Sequence, residues 1–526
     1  MLRARLKAPS LLAAAATFVG VVGVVSAITP AIASRSDFVR GVLPPGVPAT
    51  ARVLALAFGM TLIWLSRALA RRKRRAWQLA VALVAASAVA HLAKGLDFEE
   101  AFFSVVVLAA LWRYGDEFTA PGDADSVRPL LQVVAALAGV ALLLGLRVSQ
   151  DLGDVADLTE DALALLAGAL AARALYLWLR PVAARVEQTV EERRLATRLV
   201  VECGRDSLSY FSLRRDKSYF FSPSQRSFLA YRVVNGTALV SGDPIGDQGE
   251  FAALLAEFRR LAQSRGWRFA VVGASEALLP VYRSLRLRTI YLGDEAVVDP
   301  SRFSLEGRKI RKVRQSVTRL ERAGFRVRVF PAGAAETALR RELAEVSTAW
   351  RRGWPERGFG MAMDALFAHE ESLLAVAEGP DGAIGGFVQL VPAPASGAWS
   401  LAAMRRRPDT PNGLMEFLLV RIVDWARESR VTELSLNFAV FGEILRGGER
   451  GLWRRALRGV LMRLDRLFQL DRILSFSAKF EPTWRARYIC IERLSDFPLV
   501  GLAYLHAESL LTPPGPWAKS VDLANH

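Results

Sequence analysis

Three consecutive arginines, Arg405, Arg406 and Arg407, stand before a proline-broken turn and a glutamate, Glu416, in the stretch MRRRPDTPNGLMEFLLV (404–420). The apolar run after Gly413 reads as a helix, which puts the arginines in a loop at its N-terminus. Free backbone N–H groups and the positive end of the helix dipole point outward there. Guanidinium forks added to them would hold a phosphate; a solvated basic loop is the plainer alternative. The stretch SGDPIGDQG (241–249) stands in a similar place but carries Asp243 and Asp247, which would repel phosphate and suit a structural turn or an amine. A third stretch, EGRKIRKVRQSVTRLERAGF (306–325), sets Ile310, Val313, Val317 and Leu320 at helical spacing and covers the remaining surface with cations, Arg311 and Lys312 among them. Docked by its apolar stripe, such a helix would present those cations to the phosphates of RNA, unless it is a solvated connector.

Two similar blocks must carry these groups. FLAYRVVNGTALVSGDPIGDQGEFAALLAEFRRLAQSRGWRFAVVGAS reads as a strand, a turn at Asn235-Gly236, a strand, a loop, a helix ending near Gly266 and a buried strand. The order returns later, with a hairpin turning at Asp381-Gly382, the strand WSLAAM, the arginine loop, the helix LMEFLLVRIVDWARES and the strand VTELSLNFA. Two copies of hairpin, strand, loop, helix and strand imply an α/β domain of two tandem acetyltransferase-like (GNAT-like) units. RGFGMA (357–362) has the letters of an acyl-CoA loop, but it precedes its hairpin instead of following a central strand, which makes the match accidental.

The first third of the chain is of another kind. Apolar runs near 11–33, 51–70, 76–93, 101–112, 128–148 and 160–179 predict an all-α region of about six membrane spans, the fourth being short. The basic loop RRKRR (71–75) and the acid-only loop 149–161 orient them by the positive-inside rule, so the segment after Arg180 is expected in the cytoplasm. The first run also suits a cleaved signal peptide. The expected division is a membrane region over 1–183, a linker helix over 184–200, a first unit over 201–305, a second over 306–512 and a tail over 513–526. A net charge of +17 calls for an anionic partner, nucleic acid or acidic lipid. The basic apolar stretch 450–474 suits a helix lying in a membrane interface or a core helix. Two cysteines and four histidines make neither a disulfide framework nor a zinc spacing, and His369 reads as a surface residue.

Several stretches together resemble the C-terminal transferase domain of the lysylphosphatidylglycerol synthases, the multiple peptide resistance factor family, and most of all its actinobacterial branch. They are FLAYRVVNGTALVSGDPIGD (228–247), RGFGMAM (357–363), WSLAAMRRRPDTPNGLMEFLLV (399–420), LSLNFAVF (434–441) and KFEPTWRARYIC (479–490). The resemblance implies transfer of an aminoacyl group, typically lysyl, from aminoacyl-tRNA to the glycerol hydroxyl of phosphatidylglycerol; the alternatives are a membrane-anchored acyl-CoA-dependent N-acetyltransferase and a non-catalytic lipid-binding or flippase accessory protein. An aminoacyl ester is already activated, so no cofactor or metal is expected, and no G-x-x-x-x-G-K-[ST] loop is present. Such a transfer needs a phosphate clamp, an ammonium pocket, a base for the hydroxyl and a donor for the oxyanion. In that frame Glu416 is the first candidate for base or ammonium ligand, and Asp243 the second. Asn437 would donate toward the oxyanion or orient the ester. Lys479, Trp484 and Arg487 would bind lipid phosphate or the acceptor end of tRNA, Trp484 by stacking on a base. The membrane region is shorter than the flippase region of the large family members.

Overall fold

A computed structural model describes residues 2–29, 47–95, 97–147, 155–182, 184, 186–356, 358–440 and 470–511. The chain divides into two compact units, residues 1–183 with 260–267, and residues 184–259 with 268–526.

The first unit is helical: α1 (Leu2–Ile28), α2 (Val47–Leu69), α3 (Arg74–Gly95), α4 (Phe98–Arg113), α5 (Val127–Arg147) and α6 (Val155–Trp178). Among the described residues three helices are long and apolar enough to cross a membrane, over Ala8–Ile28, Ala51–Leu69 and Arg74–Ala93, where about six were expected. For α4 the reason is length. The 16 residues of α4 rise about 24 Å against a hydrocarbon core of about 30 Å, and its first turn carries Glu99 and Glu100. Helices α5 and α6, 21 and 24 residues long, are apolar over at least Val127–Val140 and Ala162–Trp178. Helices α1 and α2 meet at glycines: a Cβ on Gly20 would lie 2.6 Å from the Gly59 carbonyl oxygen, and one on Gly59 would lie 2.6 Å from that of Gly20. Only residues this small let two helix backbones approach so closely.

In the second unit the described residues form one twelve-stranded sheet. The strands are β1 (Ser218–Phe221), β2 (Ser227–Val234), β3 (Thr237–Ser241), β4 (Ile245–Gly246), β5 (Arg268–Ser275), β6 (Arg288–Val298), β7 (Arg326–Pro331), β8 (Leu373–Glu378), β9 (Ile384–Ala393), β10 (Ala398–Arg406), β11 (Leu434–Val440) and β12 (Thr483–Ile491). Their order is β1-β2-β3-β5-β12-β6-β11-β10-β9-β8-β7, with β4 beside β2. The helices are α7 (Val190–Cys203), α8 (Phe251–Ser264), α9 (Leu279–Ser284), α10 (Arg311–Arg322), α11 (Thr337–Arg351), α12 (Leu414–Glu428), α13 (Leu470–Ser477) and α14 (Phe497–Ala507).

The sequence repeat is visible as topology. An antiparallel meander runs to β3, α8 follows, and β5 lies parallel to β3. Likewise β7 to β10 form a meander, α12 follows, and β11 lies parallel to β10. The two halves then exchange strands. β6, which follows β5, pairs with β11, while β12, which follows β11, pairs with β5; β6 and β12 pair with each other. Each half thus completes the other's edge, and one continuous sheet results. Asn235 and Gly236 both take positive φ, 48° and 68°, as a two-residue hairpin turn with the twist of its strands requires.

Helix α10 buries Val313, Val317 and Leu320, with Ile310 just before it, in a core shared with α12. The segment expected as a linker is largely helix α7, opened by a capping box between Thr189 and Glu192, and its Ala196, Leu199 and Val200 are buried. It packs on the sheet domain as part of the fold. The stretch 450–474 falls almost wholly outside the described residues.

Candidate functional site

Helix α12 begins after Gly413, whose φ of 88° and lack of a side chain leave the first amides without a side-chain cap. One face of the helix is buried from Leu414 through Ala426, which sets Glu416 at the head of the other face. There Lys479 Nζ donates to Glu416 Oε1 at 2.7 Å, with the Glu416 side chain 15% and that of Lys479 38% exposed. Lys479 reaches this point because it sits in a single 3-10 turn between α13 and β12, anchored by the fully buried Phe480 against Phe476 and Phe303. Its ammonium also lies 5.3 Å over the Phe476 ring. An ammonium has three donors, so Lys479 keeps donors for a second acceptor while holding the carboxylate in place. Helix α10 and the turn before it border this pair: Lys309, two residues ahead of α10, lies 3.7 Å from Glu481, and Arg319 of α10 donates to the Asn412 carbonyl just before α12. Arg311 and Lys312 are exposed on its outer surface.

The three arginines are not gathered into one clamp. Strand β10 runs on through Arg406, so alternation sends Arg405 and Arg407 to one face and Arg406 to the other. Arg405 lies 3.0 Å from Glu356 and 4.1 Å over the Trp350 ring, and its burial pulls the guanidinium below its usual pKa. Arg407 donates to the Ile384 carbonyl and lies 3.8 Å from Glu342. The loop expected over 405–413 therefore starts later, and two of its three cations are committed to partners inside the fold.

Arg487 is likewise turned inward. It is 4% exposed on β12, donating at 2.9 Å to Glu295 of β6, at 2.8 Å to Asp206 and at 2.9 Å to Ser207 Oγ. Ser435 of β11 donates to the same Glu295 at 2.6 Å, and Ser400 of β10 donates to the Ser207 carbonyl. A buried polar row thus crosses four adjacent strands from both halves. Burial alone would raise the Glu295 carboxyl, but Arg487 and the hydrogen bonds from Ser207 and Ser435 hold it below the ordinary carboxylate range. Asp243 borders this row. It accepts from Tyr282 Oη at 2.7 Å and from the Ser275 amide at 3.2 Å, and burial together with nearby Asp206 raises its pKa.

Trp484 lies half-buried on β12 against the α10 and α12 core. Asn437 falls on β11, its side chain being outside the described residues. His369, expected at the surface, is buried beneath Tyr210 with ring centroids 5.4 Å apart, and burial lowers its pKa. The 357–362 stretch has its own internal partner, since the Phe359 and Gly360 amides donate to the Glu508 carboxylate at 2.8 and 3.1 Å. Sequence reasoning missed Lys217, which is fully buried, donates to the Phe211 carbonyl and Ser241 Oγ at 2.7 and 2.6 Å, and is pushed down to about 7 by burial and then by Arg214. A lysine directly before an apolar strand was its only signal. Among the described residues no three His, Cys, Asp or Glu side chains are grouped to hold a metal.

Residues 197–491 match the family described as phosphatidylglycerol lysyltransferase, C-terminal. The chain is 38% identical over 314 residues to the lysylphosphatidylglycerol biosynthesis bifunctional protein LysX of Rhodococcus jostii, which covers 59% of this chain and 28% of that protein. With the protein of the same name from Mycobacterium tuberculosis it is 37% identical over 327 residues, again 28% of the relative's length. The chain therefore spans under a third of these curated relatives. Among solved structures, L-PGS from Bacillus licheniformis shares the fold at a TM-score of 0.55 and 22% identity, covering 64% of this chain and 99% of that one. The C-terminal domain (DUF2156) of a putative lysylphosphatidylglycerol synthetase from Agrobacterium fabrum aligns at a TM-score of 0.52 and 26% identity, over 61% of this chain and 97% of that one. By the length of the family match, the chain belongs to the phosphatidylglycerol lysyltransferase family.

Proposed function

From that membership as premise, we propose that the chain moves an aminoacyl group, lysyl, from aminoacyl-tRNA to the glycerol hydroxyl of phosphatidylglycerol, yielding a cationic lipid. The names carried by the Rhodococcus and Mycobacterium relatives support lysyl as the group and phosphatidylglycerol as the acceptor. The geometry that carries the reading is the Lys479 and Glu416 pair at 2.7 Å, set at a helix head without a side-chain cap and bordered by basic α10.

In the proposed step the lipid hydroxyl oxygen attacks the aminoacyl carbonyl carbon as Glu416 takes its proton. Lys479 turns a free donor to the developing oxyanion. The bond to the terminal ribose oxygen then breaks, and that oxygen leaves with the proton Glu416 received. Arg311 and Lys312 on α10 take phosphates of the tRNA acceptor arm, and Arg406, the one of the three arginines on the α12 side of β10, is the best placed to meet a phosphate near the pair. Each half of the sheet is read as an acetyltransferase-like unit, the first over 201–305 and the second over 306–512. The three membrane-length helices belong to a region of about six spans that leaves the sheet domain in the cytoplasm.

The test is mass spectrometry of total phospholipids from cells with and without the chain, and with Glu416→Gln. A chain-dependent aminoacyl-phosphatidylglycerol, lost in the variant, is the expected result, and its mass identifies the amino acid. An unchanged lipid profile in cells that hold charged tRNA and phosphatidylglycerol would overturn the proposal.

A further inference from the structure

Helix α14 (FPLVGLAYLHA) carries no charged side chain apart from His506 and is apolar all round. One stripe, Val500, Ala503, Tyr504 and Ala507, is buried against β2, β3 and β5. On the opposite face Leu499 and Leu502, three residues apart, are 40% and 51% exposed with the exposed His506 one turn on, while Phe497 (37%) and Leu494 (63%) flank the helix start. A helix apolar on every side belongs in a protein core or in lipid, and among the described residues this one is covered on one side only. Scattered apolar residues on a surface need no explanation, whereas a contiguous stripe marks an interaction face.

The acids around the helix point away from that stripe. Glu492 lies 2.6 Å from Arg259, Asp496 4.0 Å from Arg268, and Glu508 accepts the Phe359 and Gly360 amides. Each carboxylate is committed inward, so among the described residues the outward face is apolar apart from His506 and free of negative charge, on a chain of net charge +17. A surface of that kind fits an anionic bilayer: its side chains enter the headgroup and acyl boundary and no buried carboxylate opposes it. The same chain carries helices long enough to cross a bilayer, so such a surface is always within reach.

We infer that the Leu499 and Leu502 face of α14 docks the sheet domain on the anionic membrane surface from which the lipid acceptor is drawn. This rests on the membrane placement and acceptor proposed above. The docking sets the height of the domain over the bilayer, and so the reach of the phosphatidylglycerol hydroxyl, without touching the reacting atoms.

The test uses the full chain in nanodiscs containing phosphatidylglycerol. A Cys203→Ser background leaves only the buried Cys490, and Leu499→Cys or Leu502→Cys takes an environment-sensitive fluorophore. Asp381→Cys, on the exposed β8 to β9 turn at the other end of the sheet, is the reference. Acyl-chain spin-labelled lipid is expected to quench the α14 labels about threefold or more over the reference, as an interfacial helix requires. Quenching equal to the reference would overturn the inference. So would labels shielded from both lipid and aqueous quenchers, which would mean that protein covers the face. In a second arm, Leu499→Glu with Leu502→Glu is expected to raise the KM for lipid several-fold while leaving that for aminoacyl-tRNA unchanged; an equal rise in both would count against docking. If the chain makes no aminoacyl lipid at all, quenching still decides the docking, so the two readings fail separately.

Discussion

The two halves of the sheet place a loop and a helix head after equivalent strands, and they use them in opposite ways. After β3 the loop is closed by its own acids: Asp243 bonds Tyr282 and Ser275, and Asp247 accepts from the Gly249 amide at 2.9 Å. After β10 the helix head has no side-chain cap, and the acid of its first turn reaches across to Lys479. One half has spent its polar groups on internal order; the other keeps a carboxylate and an ammonium together at a partly open position. Duplication of a fold thus does not duplicate a site, because satisfying a helix terminus internally removes the donors a ligand would use.

Four outcomes would sharpen or break that contrast. The largest concerns the polar row that both halves share. Arg487→Met strips Glu295 and Asp206 of their buried cation, and breaking a buried pair on one side costs about 3–5 kcal/mol. Denaturant unfolding of the sheet domain should show a loss of that order; a change within about 0.5 kcal/mol, the range of ordinary surface substitutions, would make the row incidental. Next comes a matched pair of variants. Glu416→Gln should lower aminoacyl transfer about 10²-fold or more with unfolding unchanged, as loss of a general base does. Asp243→Asn should instead destabilise by about 1–3 kcal/mol through its buried partners. If the two effects are interchanged, the roles assigned to the halves are wrong.

The third outcome is a pH profile. The folded pKa of Lys217 is about 7, below its unfolded value, so between pH 7 and the ordinary lysine range the unfolded chain binds the additional proton. Stability of the first half should rise with pH across that window, and Lys217→Met should flatten the rise in thermal melts. Glu295, with its pKa lowered, acts elsewhere: its contribution is present above the ordinary carboxylate range and is lost as the solution is acidified through its folded pKa. The smallest effect belongs to α10. Arg311→Ala or Lys312→Ala should leave folding intact and reduce the slope of log affinity for tRNA against log salt by about 1 each. An unchanged slope would return α10 to a connector that buries its apolar stripe and does nothing more.

Local pattern carried much of the architecture. The hairpin at Asn235-Gly236, the buried stripe of α10 and the change from apolar helices to a charged α/β domain all follow from side-chain periods of 3.6 and 2 and from turn residues that accept positive φ. Those rules act over a few residues and need nothing from the rest of the chain. The same alternation explains why Arg405 to Arg407 form no single clamp, since consecutive strand residues face opposite ways, and only the run of β10 through Arg406 reveals it. Tertiary structure alone decided which charges meet. Glu295 and Arg487 are 192 positions apart, Asp206 and Arg487 are 281, and they become neighbours because β6 and β12 change places between the halves. A charge in sequence specifies that a partner is needed; which partner it finds depends on chain closure over hundreds of residues, and no short-range pattern encodes that.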